Sequence, residues 1–185
     1  SYGSFNIHKH TVKFSTGLID DHWEFAGRAS QIKSDGYIDR ASSDLKSYFL
    51  QGTYVDENTL VKAITFGGSE TTYQAWYGID AETLENDRTY NPAGVYTDEA
   101  GNTKFYENQT DNYKQDHYQL LWNQEYNKNW SSNLAFHYTY GRGYYEEYEE
   151  DAALNEFGLE NFQADGVEVT TSDLVGTKWL DNDFY

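Results

Sequence analysis

The sequence predicts an all-β chain of six or seven antiparallel strands in an up-and-down meander. Three observations predict it. Long segments alternate apolar and polar residues with a period of two, the mark of a strand that meets two different environments. The connections between them alternate between turns of three or four residues and much longer loops. Aromatics reach 18% while total hydrophobics stop at 38%, and Pro occurs once. A helical bundle would use more Leu and Ala and fewer Tyr, whereas Tyr with Thr, Gly and Asn favours strands and turns. That aromatic load also excludes disorder.

The strands follow in order, with the usual tolerance of a few residues at each boundary. The first, about 8–19, sets Val12, Phe14 and Leu18 against Thr11, Lys13, Ser15 and Gly17. A tight turn at 20–22 leads to the second, about 23–32, where Trp23, Phe25 and Ala29 oppose Glu24, Arg28 and Ser30. The third, about 47–55, and the fourth, about 59–68, are joined by a turn at 56–58. The fourth is ambiguous, because Lys62 shares a face with Leu60, Ile64 and Phe66 while Val61 lies on the other. The fifth, about 113–126, places Tyr118, Leu120, Trp122 and Tyr126 on its even face. After a turn at 127–129 comes the clearest alternation of the chain, about 130–141. There Trp130, Leu134, Phe136, Tyr138 and Tyr140 share one face, and the other has no large apolar residue. Residues 178–185 read as the approach to a seventh strand. The long connections fall at about 33–46, 69–112 and 142–177.

Composition bounds the function. The formal net charge is −18, from 13 Lys+Arg and 31 Asp+Glu. Binding to a nucleic-acid backbone needs clustered positive charge and is not expected. There is no Cys, so disulfides and thiolate metal sites are excluded. There is no Met either, which reads as a processed protein or an internal fragment. No run approaches 18 apolar residues, so no transmembrane helix is expected, and the first residues lack the apolar stretch of a signal peptide.

Short turns at one end and long loops at the other are the plan of an outer-membrane β-barrel. The aromatics fit two interfacial belts. Trp23, Tyr54, Tyr126 and Trp130 flank the short turns, and Tyr37, Tyr48, Tyr113 and Tyr140 lie toward the long loops. A soluble β-sandwich with one wet face alternates too; the loop asymmetry and the aromatic positions favour the membrane. Six strands do not close a barrel, since single-chain barrels of this kind start at eight.

Four stretches carry a resemblance. They are SDGYIDRASSDLKSY at 34–48, TFGGSETTYQAW at 65–76, DHYQLLW at 116–122 and LAFHYTYGRGYYE at 134–146. In order and spacing they resemble the barrel domain of TonB-dependent outer-membrane receptors, the iron-complex and cobalamin branch more than the glycan-importing one. The similarity spans most of residues 5–145 and weakens in the acidic tail. It implies a 22-stranded transmembrane barrel in a Gram-negative outer membrane, plugged by a globular domain. It also implies coupling to a TonB-type energy-transducing protein and import of a siderophore-iron, haem or cobalamin-type ligand. No plug positions are found in these residues, so no binding residue of the family is carried over.

Candidate sites are few. The loop at 69–112 concentrates aromatics, and Tyr73, Trp76, Tyr77, Tyr90 and Tyr106 suit a ring-bearing or chelate ligand. They equally suit packing that loop onto its neighbours. His8 and His10 share a strand face but lack further ligands at matched spacing, so a structural role is expected. Asp35, Asp39 and Asp44 lack the ligand order of an EF-hand. Residues 142–185 hold 12 Asp+Glu against 2 Lys+Arg, which reads first as a solvated face. There is no Gly-x-Ser-x-Gly or His-Glu-x-x-His, so an enzyme is not expected, and no cofactor is implied. The alternative functions are a soluble all-β carbohydrate- or peptide-binding module and a passive porin or adhesin barrel.

Overall fold

The computed structural model describes residues 1–184. It is all-β. The elements are β1 (His8–Ser15), β2 (Trp23–Ser34), β3 (Ser43–Val55), β4 (Thr59–Tyr73), α1 (Ala81–Asn86), β5 (Val95–Thr97), β6 (Thr103–Phe105), β7 (Thr110–Asn127), β8 (Trp130–Ala153), β9 (Phe162–Ala164), β10 (Val167–Val169) and β11 (Thr171–Phe184), with a 3-10 turn at Leu154–Phe157. Seven strands form one antiparallel sheet in the order β1-β2-β3-β4-β7-β8-β11. The pairs β5–β6 and β9–β10 are separate small hairpins within the long connections. The large sheet is open, with β1 and β11 at its edges.

Strand pairing fixes the faces, because residues directly opposite in an antiparallel ladder point the same way. Phe25 pairs with Gly52, Gly52 with Ala63, Ala63 with Leu120, and Leu120 with Phe136. One turn-ward row joins Trp23, Tyr54, Val61, Trp122 and Leu134. One row loop-ward joins Phe14, Gly27, Leu50, Thr65, Tyr118 and Tyr138. These rows make a continuous apolar band next to the short turns. The opposite face carries Lys13, Arg28, Gln51, Lys62, Gln119 and His137 at the same height. The ambiguous fourth strand resolves so that Leu60, Lys62, Ile64 and Phe66 lie on the polar face, where Phe66 stacks on His117 at 4.4 Å.

Glycines within the sheet make room for rings. A Cβ at Gly27 would lie 2.2 Å from the Phe14 ring, and one at Gly141 would lie 2.2 Å from the Tyr113 hydroxyl. Each ring lies over the backbone of the neighbouring strand and covers what the glycine leaves bare. The tight turn before Trp23 has Asp20 and Asp21 both left-handed, at φ 48° and 59°. Two consecutive left-handed residues are what a two-residue hairpin turn of this twist requires, and Asp tolerates them.

Several boundaries differ from the alternation. The first strand stops at Ser15, and the chain rejoins β2 through the isolated bridge Ile19–Trp23. The connection expected at 33–46 shrinks, because β2 runs to Ser34 and β3 begins at Ser43. The connection expected at 142–177 is a correction. β8 continues to Ala153, and β11 begins at Thr171 rather than near 178. Above the apolar band both faces of a strand meet polar surroundings. Alternation therefore disappears there while the backbone ladder continues.

Among the described residues no second layer gives the sheet a core. The strands contact their hydrogen-bonded neighbours, and β8 and β11 also touch the 3-10 turn. Among the described residues the buried hydrophobics are Tyr73, Ala93 and Leu154. All three lie at the loop end, away from the apolar band.

Candidate functional site

At the loop end buried side chains from several segments converge. Tyr73, the last residue of β4, is buried with its hydroxyl 2.8 Å from the Tyr106 carbonyl and 3.1 Å from the Ala93 carbonyl. Arg40, from the connection between β2 and β3, donates from Nε to the Tyr73 hydroxyl at 3.3 Å and from Nη2 to the Asn91 carbonyl. Its guanidinium sits 3.6 Å from the centre of the Phe105 ring, a cation–π contact. These contacts tie both long connections to the top of β4.

Beneath them three buried amides form a polar net. Asn91 donates from Nδ2 to the carbonyls of Asp39 at 3.0 Å and Gln74 at 2.9 Å. Its Oδ1 accepts from the Ala93 N–H at 3.1 Å. Gln74 donates to the Glu146 carbonyl at 3.1 Å, and Gln109 accepts from the Tyr148 N–H at 2.8 Å. No buried side-chain polar atom among the described residues lacks a partner. A satisfied net of this kind rigidifies the segment it crosses, since each broken bond would leave a buried group bare.

The upper half of β8 is the wall against which the loop rests. The ring of Tyr148 lies 4.6 Å from Tyr96 and 5.6 Å from Tyr106. Tyr106 donates its hydroxyl proton to Glu146, and Tyr77 donates to Glu147 at 3.3 Å. The Thr97 N–H donates to Glu150 at 2.9 Å. Tyr148 donates to Asp173 at 2.7 Å, and Asp173 also accepts from the Asp151 N–H at 3.0 Å. The bond to Asp173, helped by desolvation, pushes the Tyr148 hydroxyl up to about 12. The Asp151 amide and then Tyr148 hold the Asp173 carboxyl below its ordinary value. The Glu146 carboxylate raises Tyr106, and desolvation followed by the Glu147 charge raises Tyr77.

The five loop aromatics therefore part company. Tyr73 and Tyr106 hold the loop to the sheet, and Tyr90 is half-buried beside them. Trp76 and Tyr77 remain open to solvent, 60% and 44% exposed, with ring centres 6.2 Å apart. They are the pair of the five that can meet a ligand. At the turn end, Trp23 and Tyr54 pack at 4.9 Å, while Tyr126 and Trp130 stand exposed beside the 127–129 turn. Compared with protein-family models, with curated proteins and with solved structures, the chain has no match.

The remaining sequence candidates do not converge. The His8 and His10 rings lie 5.4 Å apart, and no group of three or more His, Asp or Glu able to hold a metal ion occurs among the described residues. Asp44 lies in β3, paired with Lys33 at 3.0 Å and Lys46 at 3.5 Å, rather than with Asp35 or Asp39. Sequence reasoning missed Arg40, Gln74, Asn91 and Gln109. Each is a polar residue in a polar stretch, and only the packed loop gives it a role.

Proposed function

We propose that this chain is a wall segment of a transmembrane β-barrel in the outer membrane of a Gram-negative bacterium. The observation that carries the proposal is the uncovered apolar band on a single-layer sheet. Val12, Phe14, Trp23, Phe25, Leu120 and Phe136 are all more than 40% exposed on one face. At about 2 kcal/mol for full burial of each, with about half still open, they leave roughly 6 kcal/mol unrealised. That rivals the whole stability of an ordinary domain. Lipid on this face and water on the other reconcile the two faces with one sheet. From Trp130 to Tyr140 the strand advances ten residues, about 34 Å, or about 24 Å of height at a 45° tilt, which matches the apolar belt of such barrels.

The finer reading adds that the barrel is the 22-stranded one of a TonB-dependent receptor. In that reading the open edges of β1 and β11 pair with further strands of the wall. A plug domain couples to a TonB-type protein, and the cargo is a scarce nutrient chelate of the siderophore-iron, haem or cobalamin type. The four-stretch resemblance supports it, and the exposed Trp76–Tyr77 pair at the loop end supplies a surface for a ring-bearing ligand. Binding measured by fluorescence quenching of Trp76 in the full receptor tests this. A Trp76→Ala, Tyr77→Ala variant is expected to weaken uptake of the cargo about tenfold or more, at two stacking contacts of about 1 kcal/mol each. Unchanged uptake would remove these residues from the site.

A further inference from the structure

Between β8 and β11 the chain leaves the sheet as an arm, residues 154–170, closed at its base where the Leu154 N–H donates to the Thr170 carbonyl at 3.0 Å. Its outer part is the hairpin of β9 and β10, joined by Asp165 and Gly166, both left-handed at φ 50° and 80°. Two consecutive left-handed residues match the twist of a two-residue turn. The register sets Val167 opposite Ala164, Glu168 opposite Gln163 and Val169 opposite Phe162. The hairpin therefore has two unlike sides, with Phe162, Ala164, Val167 and Val169 on one and Gln163 and Glu168 on the other.

The apolar side is left open. No other strand pairs with the hairpin, so both of its edges are free. Residues 155–168 are exposed throughout, Phe162 at 54% and Val167 at 66%. A two-stranded hairpin is marginal in water, and a third strand with an apolar face gives it stability of its own. Here the backbone ladder and the apolar side both stop where a third strand would continue them.

Charge selects that strand. The arm carries Glu156, Glu160, Asp165 and Glu168, and no Lys, Arg or His occurs from 143 to 177. None of the four carboxylates has an ion pair among the described residues. A second copy of the arm would set carboxylate against carboxylate, which destabilises a ladder. An anionic lipid surface would repel the arm over about 8 Å. We propose that the free edge of β10 takes up, as a third strand, an extended segment of a partner polypeptide in which Lys or Arg alternates with apolar residues. Its main chain extends the ladder, its apolar side chains lie beside Val167 and Val169, and its cations lie on the reverse beside Glu168. This holds whether or not the sheet crosses a membrane, and it goes beyond the membrane reading, which gives the arm no role.

The full chain in an uncharged detergent tests it, with a fluorescent seven-residue peptide alternating Lys and Val as the probe. One comparison peptide alternates Glu and Val, and another carries the same Lys and Val content in two blocks. Anisotropy reads affinity, and hydrogen exchange reads the place. The alternating Lys peptide should bind about tenfold more tightly than the Glu peptide, one attractive cross-strand pair being exchanged for a repulsive one, and should protect 162–169. Phe162→Ser with Val167→Ser should weaken it about tenfold or more. Glu168→Lys should turn the preference toward the Glu peptide, a reversal that a loosened arm would not give. A blocked peptide that binds as tightly, protection that falls outside 162–169, or a double variant that binds as before would each overturn the proposal. So would protection of 162–169 without peptide, whether it follows chain concentration, which assigns the face to a second copy, or added anionic vesicles, which assigns it to lipid.

Discussion

At the scale of single residues the loop end offers two sharp expectations. Asn91 is buried and donates to two backbone carbonyls from different connections. Asn91→Ala leaves those carbonyls bare and should cost about 2–3 kcal/mol. Hydrogen exchange should show protection lost across 74–109 and kept in β2 and β3. The second expectation concerns pH. Tyr148 ionises at about 12 in the folded chain against about 10 when free. A hydroxyl whose folded value is raised contributes stability that is whole below pH 10 and fades between 10 and 12. Tyrosinate absorbance should lose one of its late-titrating groups in Tyr148→Phe, with the loop of the unsubstituted chain loosening over that window. Asp173 runs the opposite way. Its lowered carboxyl contributes above the ordinary aspartate range and loses that contribution as pH falls toward its folded value.

At the scale of elements the membrane reading predicts opposite fates for neighbouring residues. Leu120 lies in the apolar band and Gln119 on the polar face of the same strand. Leu120→Arg should destabilise the chain in lipid by about 2–4 kcal/mol, while Gln119→Arg should change little. Denaturant titration in vesicles checks both, and equal costs would argue that lipid touches neither. Much of this face assignment is legible in the sequence. β7 and β8 alternate cleanly because one face is apolar at every step from Tyr118 to Trp122 and from Leu134 to Tyr140. β4 misleads, since its largest apolar residues lie on the polar face, where Phe66 covers His117. The upper parts of β3 and β8 and the start of β11 carry no pattern, because polar surroundings on both sides select nothing.

At the scale of the whole molecule, one sheet with two open edges and no second layer needs an environment to complete it. Edges of this length template further pairing. Without detergent the chain should aggregate, and with detergent it should remain dispersed with its strand content intact. A soluble monomer that melts cooperatively would instead favour the binding-module reading. The central claim is that the band containing Leu120 and Phe136 meets lipid while its reverse meets water. Spin labels at Leu120 and Phe136, with controls at Gln119 and His137, test it most directly in the barrel reconstituted in vesicles. The account predicts that the first two are relaxed by oxygen and shielded from a water-soluble paramagnetic reagent, with the controls showing the reverse. Strong relaxation of Leu120 and Phe136 by the aqueous reagent would contradict it.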